Sequence, residues 1–254
     1  MTDTYHTEYE WARFPADWVR KGTLRDISST EAGLAALKIY LGLAGWFSSS
    51  SWDSSLERLA GLNPEIAVSF NHIQALTGLN RTLIVAGIGV LEELNLILLQ
   101  RGRGRARHKY RLAGDMTSGF AKIPRFIFEP QRKIMGTFTE FRQTNLHQFD
   151  PSLSDGSLAG LKLYTLILAY RSKSLDNRTK ISYDKLTSLT GVARNDVAAN
   201  LDFLQKLGLI KIERKSEGIS GPNMYFIQGL GPYKKPTYAE LNYSLEEDEL
   251  PLTG

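Results

Sequence analysis

Between residues 101 and 111 the chain reads RGRGRARHKYR, in which six of eleven residues are Arg or Lys. Arg103, Arg105 and Arg107 alternate with glycine or alanine. Small residues let a backbone approach a ligand closely, and guanidinium groups form paired hydrogen bonds to phosphate. The spacing therefore predicts phosphate contact by these three, with Arg101, Lys109 and Arg111 at the ends of flanking strands. No other chemistry is legible to the same degree. The four histidines, His6, His72, His108 and His147, have no metal-ligand spacing, and the absence of cysteine excludes disulfides and thiolate zinc sites. GRGRAR lacks the third glycine of a dinucleotide fingerprint; no phosphate-loop signature, GxSxG elbow or His–carboxylate cluster occurs. The expectation is a non-enzyme without cofactor or metal.

Composition sets the frame. The 254 residues, 42% hydrophobic, suffice for one large or two modest domains. MTDTYHTEYEWARF is polar, unlike a secretory signal, and the longest apolar stretch, 83–94, is too short to span a membrane, so a cytoplasmic protein is expected. The formal charge is +4, but five acids follow the last base, Lys235, which leaves +9 on residues 1–237. A basic body thus precedes an acidic tail, expected to be disordered from 231 and to dock a protein partner or compete for the basic surface.

The elements that would carry the basic stretch occur twice. LAALKIYLGLAG (34–45) lies over LAGLKLYTLILA (158–169), and residues 68–97 lie over 181–210 without a gap, with 10 of 30 positions identical. RFPADWV (13–19) and KIPRFIF (122–128) align on Pro15 and Pro124. In each copy the periodicity predicts a largely buried helix, then a short helix capped by Ser69 or Ser182 and closed by Thr-Gly. A third helix follows from near Asn80 or Ala193 to a C-terminal cap at Asn95 or Gly208, and then a hairpin. The second hairpin, RKSEGISGPNMYF, carries Arg214 and Lys215 against Glu213 and Glu217, so the fold does not require the arginines of the first.

This order, with its turn glycines and caps, resembles the winged helix-turn-helix modules of bacterial transcription regulators and of plasmid or phage replication initiators. The lead-in before LAGLKLYTLILAY is more similar to the replication type. The resemblance implies a mainly α fold with small β-hairpins (α+β) and two winged helix-turn-helix domains in tandem. The first covers 1–113, with its wing at 101–111; a linker and lead-in covers 114–157, and the second domain 158–230. It further implies a sequence-preferring partner of double-stranded DNA. The wing Arg101, Arg103, Arg105, Arg107, Lys109 and Arg111 would hold backbone, while Asn80, Arg81 and Thr82 in one copy and Arg194, Asn195 and Ala198 in the other would face bases. Arg132 and Lys133 are candidates for additional phosphate contacts. The glycines of AGIGV (86–90) signal close contact or tight helix packing, inside the chain or in a homodimer. WFSSSSWDSS (46–55) is an insertion that the second copy lacks, and all four tryptophans fall in the first copy, as core. A different reading is a structural subunit of an SMC-type complex, in which LIVAGIGVL (83–91) is a dimer face.

Overall fold

The structure is a computed structural model that describes residues 11–47, 65–102, 107–114, 119–128, 144–150, 156–171, 178–213 and 222–230, apart from the side chains of 46 and 47. It is an α+β fold of helices and small antiparallel sheets. The chain opens with β1 (Trp11–Pro15), a single helical turn α1 (Asp17–Arg20) and a 3-10 turn (Thr23–Arg25). The first copy continues with α2 (Glu31–Phe47), β2 (Ile66–Val68), α3 (Phe70–Thr77), α4 (Arg81–Glu93), β3 (Ile97–Gln100) and β4 (His108–Leu112). Next come β5 (Phe120–Pro124) and two 3-10 turns (Arg125–Ile127 and Asn145–Gln148). The second copy is α5 (Gly156–Ala169), β6 (Arg178–Ile181), α6 (Tyr183–Thr190), α7 (Arg194–Lys206), β7 (Ile210–Glu213) and β8 (Asn223–Ile227).

Equivalent residues make equivalent local bonds in the two copies. Ser69 and Ser182 accept from the backbone N–H of His72 and Lys185 and so start α3 and α6. Thr77 and Thr190 each return a 2.6 Å bond to the carbonyl four residues earlier, Ile73 and Leu186. Gly78 and Gly191, at φ +73° and +72°, then turn the chain in the left-handed region, where a side chain is strained. Asn95 and Gly208 end α4 and α7 at φ +53° and +69°.

Among the described residues the hairpin of each copy belongs to a three-stranded sheet rather than standing alone. β4 lies between β2 and β3, and β8 between β6 and β7. Tyr110 pairs with both Ile66 and Leu99, and Tyr225 with both Thr179 and Ile212. The added strands are three or four residues long, too short to announce themselves by alternation.

A further sheet was not foreseen at all. The two lead-ins pair with one another, β1 against β5, in antiparallel register Trp11↔Pro124, Arg13↔Lys122, Pro15↔Phe120. Arg13 thus faces Lys122, the residue that matches it in the alignment on Pro15 and Pro124, so a local twofold axis passes between them. The lead-ins then cross over. Arg20 donates from Nε and Nη2 to the Ala169 carbonyl at the end of α5, at 3.2 and 3.0 Å, and Arg25 donates to the Ser188 carbonyl in α6. In return Thr144 Oγ1 donates to the Leu76 carbonyl in α3 at 2.8 Å, and His147 lies against Gly78. Residues 114–157, expected as linker and lead-in, therefore contribute a strand and a turn packed on the first copy.

The exchange reaches into the core. Both α2 and α5 are buried nearly all round, and each carries one lysine, Lys38 and Lys162, 2% and 5% exposed. Lys38 Nζ donates to the Phe149 carbonyl at 2.9 Å; Lys162 Nζ donates to the Ile27 carbonyl at 2.6 Å and to that of Thr190 at 3.3 Å. Phe14, Trp18 and Tyr40 complete the centre of the first copy, where Trp18 Nε1 donates to the Tyr40 hydroxyl at 2.8 Å. Trp18 is thus core as expected, while Trp11 lies half-buried on the ribbon; the Ser/Trp insertion from 48 onward and the tail from 231 lie outside the described residues.

Burial pulls Lys38 and Lys162 down to about 8, against weaker opposition from Asp150 and Asp26 respectively. The folded chain gives up these protons near pH 8, whereas the unfolded chain holds them to about 10.4. Between those values the unfolded state binds more protons, so stability rises with pH. Above about pH 10 the sign reverses, because unfolded tyrosines ionise while burial raises Tyr40 and Tyr164 and holds their protons. Urea unfolding should show a gain of roughly 3–4 kcal/mol from these two lysines between pH 7.5 and 9.5, and a loss beyond pH 10.5. Replacing both lysines (Lys38→Met, Lys162→Met) should remove most of the rise.

Candidate nucleic-acid interface

The short helix α3 and the following α4 are inclined at 97° across the turn at Gly78, within the range of helix-turn-helix pairs. The outward start of α4 presents Arg81, Thr82 and Val85, all exposed, and that of α7 presents Arg194, Asn195, Ala198 and Ala199. The inner faces are Ile84, Gly87, Ile88 and Leu91, and Val197, Asn200, Leu201 and Leu204. Helical period alone produces this division, since residues three and four apart share a face.

The two arginines are held alike. Arg81 Nη2 donates to Asn71 Oδ1 at 3.0 Å, and Arg194 Nη1 donates to Asp184 Oδ1. Asn71 and Asp184 occupy matching positions in α3 and α6. The expected base-facing set nevertheless divides. Asn80 accepts from the Leu83 N–H at 2.9 Å, which commits its side-chain oxygen to the start of α4. Ala193 at the same place gives α7 no side-chain cap. Thr82, Asn195 and Ala198 are exposed on their helices.

On the basic hairpin, Arg103 and Arg105 lie outside the described residues, as do Arg132 and Lys133. Arg107 is exposed at the foot of β4. Arg101, just past β3, pairs with Glu92 at 2.6 Å, and Lys109 pairs with Glu65 at 2.8 Å. Lys109 and Arg111 sit within β4 rather than at the strand ends, opposite Gln100 and Leu98. Lys109, as a hydrogen-bond donor, is the main cause that holds the Glu65 carboxyl below its usual range. Both ion pairs are largely exposed and worth little to stability. Arg101 and Lys109 are therefore anchored at the base of the hairpin.

The glycines of α4 have different causes. A Cβ on Gly87 would lie 2.8 Å from the Ala35 and Ala36 backbone of α2, so this glycine permits tight helix packing inside the chain. A Cβ on Gly89 would meet nothing within 4 Å. Among the described residues no single helix is long and apolar enough to cross a membrane.

No protein-family model matches the chain, and no curated protein sequence matches it either.

Gly89→Ala should stabilise the protein by about 1 kcal/mol through helix propensity. Gly87→Ala should destabilise it by about 2 kcal/mol, because the added methyl meets backbone that cannot turn aside. Urea midpoints of the two variants would separate these cases.

Proposed function

We propose that the chain is a tandem winged helix-turn-helix protein that binds double-stranded DNA with sequence preference, in plasmid or phage replication initiation or in transcription regulation. The observation that carries this reading is the repeated 30-residue helix-turn-helix segment whose second helix begins, in both copies, with an outward arginine. Duplex DNA repeats its major groove about every 10 base pairs, and two linked copies of one reading unit suit that period. The copies divide the work. Arg194 and Asn195 match guanine and adenine edges, and the arginines of 101–111 grip backbone beside the first copy.

The SMC-subunit alternative loses weight on packing grounds. It needs the helix 83–91 as an apolar dimer face, but Ile84, Gly87, Ile88 and Leu91 are buried. Val85, 57% exposed, is the one large apolar side chain α4 turns fully outward. A single valine is a thin dimer face and a suitable neighbour for a thymine methyl. The lead-in favours the replication role; repeated sites beside an origin, rather than an operator over a promoter, would separate it from regulation.

Selection from a random duplex library, with sequencing of the bound fraction, should enrich one motif. Absence of enrichment would overturn the reading. Arg103→Ala, Arg105→Ala and Arg107→Ala together should lower the slope of log affinity against log salt by about 2–3, at roughly 0.9 per phosphate released. Asn195→Ala should alter preference among sequences more than overall affinity.

A further inference from the structure

The ribbon of β1 and β5 has an inner face and an outer one. Ala12, Phe14, Ala121 and Ile123 point inward and are buried, and the alternate positions Trp11, Arg13, Phe120 and Lys122 are half-buried on the outer side. Arg13 and Lys122 are direct cross-strand partners. Like charges placed directly opposite each other are destabilising in a sheet. Aromatic rings hold them in place instead. The Arg13 guanidinium lies 5.0 Å from the Trp11 ring centre and 4.9 Å from that of Phe120. Lys122 Nζ is 3.6 Å from the Trp11 ring, and the two rings stack on each other at 6.1 Å.

A third cation joins them. Burial first, and then the charges of Arg171, two residues beyond the end of α5, and of Arg13, bring Lys122 down to about 8. Next to Arg171 is Tyr170, whose ring carries Lys185 Nζ at 4.2 Å. Lys185 lies in the first turn of α6, beside Asp184, the partner of Arg194 at the start of α7. Cations thus recur from the ribbon to the first turn of α6, with Asp17 and Asp184 among them.

We propose that this ribbon, with Arg13, Lys122, Arg171 and Lys185, is a third nucleic-acid contact, which binds the sugar-phosphate backbone of the duplex between the stretches held by the two copies. The proposal rests on the DNA-binding reading above. A phosphate between Arg13 and Lys122 relieves the repulsion across the strand pair. A duplex spanning both copies must also cross the region between them, and the twofold axis puts the ribbon midway between the copies. Contact with backbone adds affinity and fixes register without reading sequence.

The test is the salt dependence of binding to target and scrambled duplexes, with wild type beside the double variant Lys122→Gln, Arg171→Gln. The slope of log affinity against log salt should fall by about 2, at roughly 0.9 per phosphate, with the preference for target over scrambled duplex unchanged. Lys122→Arg should keep the wild-type slope. Wild type that binds no duplex refutes the DNA-binding reading itself; binding with an unchanged slope in the double variant refutes the ribbon contact alone. Should the double variant fail to fold, acylation of lysine amines in the unaltered protein decides. Duplex should protect Lys122 and Lys185, and undiminished reaction at both would overturn the proposal. Protection of Lys122 without DNA that disappears when residues 238–254 are removed would assign the ribbon to the acidic tail and overturn it as well.

Discussion

The two halves of this chain are locked by a pair of buried lysines, each of which reaches out of its own copy. Lys38 in α2 bonds the Phe149 carbonyl, and Lys162 in α5 bonds the Ile27 carbonyl. Each carbonyl belongs to the lead-in that precedes the other copy's first helix. An ammonium taken out of water costs several kcal/mol, and a backbone carbonyl buried without a donor costs some as well. Without both halves in place Lys38 loses this acceptor, and Lys162 keeps only its longer bond to the Thr190 carbonyl of its own copy. The lysines are thus poor contributors to raw stability and good specifiers of arrangement: an assembly with the lead-ins on their own copies leaves two charges and two carbonyls without these partners.

From that lock follows a fixed relation between the two copies. The ribbon, the crossed lead-ins and the central helices α2 and α5 belong to one continuous hydrophobic core. The outward starts of α4 and α7 are carried on helices packed against α2 and α5 respectively. Their spacing is therefore a property of the core and does not vary with a tether. Under the proposed function, this removes the entropy that two flexibly joined modules lose when the second one docks. The proposed sequence preference would then depend on a fixed separation as well as on side chains.

Much of each copy was legible in the sequence because it is local. The Ser caps, the Thr-Gly turns, the inward apolar period and the matched ends at Asn95 and Gly208 all concern residues within a few positions of one another. The exchange was not legible, because strand pairing between 11–15 and 120–124 leaves no local mark beyond alternation over five residues. One signal of it does lie in the sequence: Lys38 and Lys162 align with each other in the middle of otherwise apolar helices. A lysine repeated at such a place asks for a fixed acceptor, and its position in both copies implies a reciprocal one. Asn80 shows how a local need bears on a candidate site residue: the first residue before a helix needs a cap, and the Asn80 side-chain oxygen supplies it.

Divergence between the copies is intelligible once the shared scaffold is set aside. Where the first copy has Asn80 as cap and neutral Asn71 beneath Arg81, the second has Ala193 with no cap and charged Asp184 beneath Arg194. The Arg194–Asp184 pair is exposed on both sides and so contributes little to stability. Its stronger consequence is electrostatic. A carboxylate beside Arg194 repels phosphate and leaves the guanidinium better matched to a base edge, where acceptors are neutral. In the first copy no such carboxylate faces Arg81 among the described contacts, and the adjoining hairpin adds arginines rather than acids. Under the proposed function, two units that fold by the same rules are thereby biased in opposite directions, one toward backbone and one toward bases, by changes confined to positions that the core does not use.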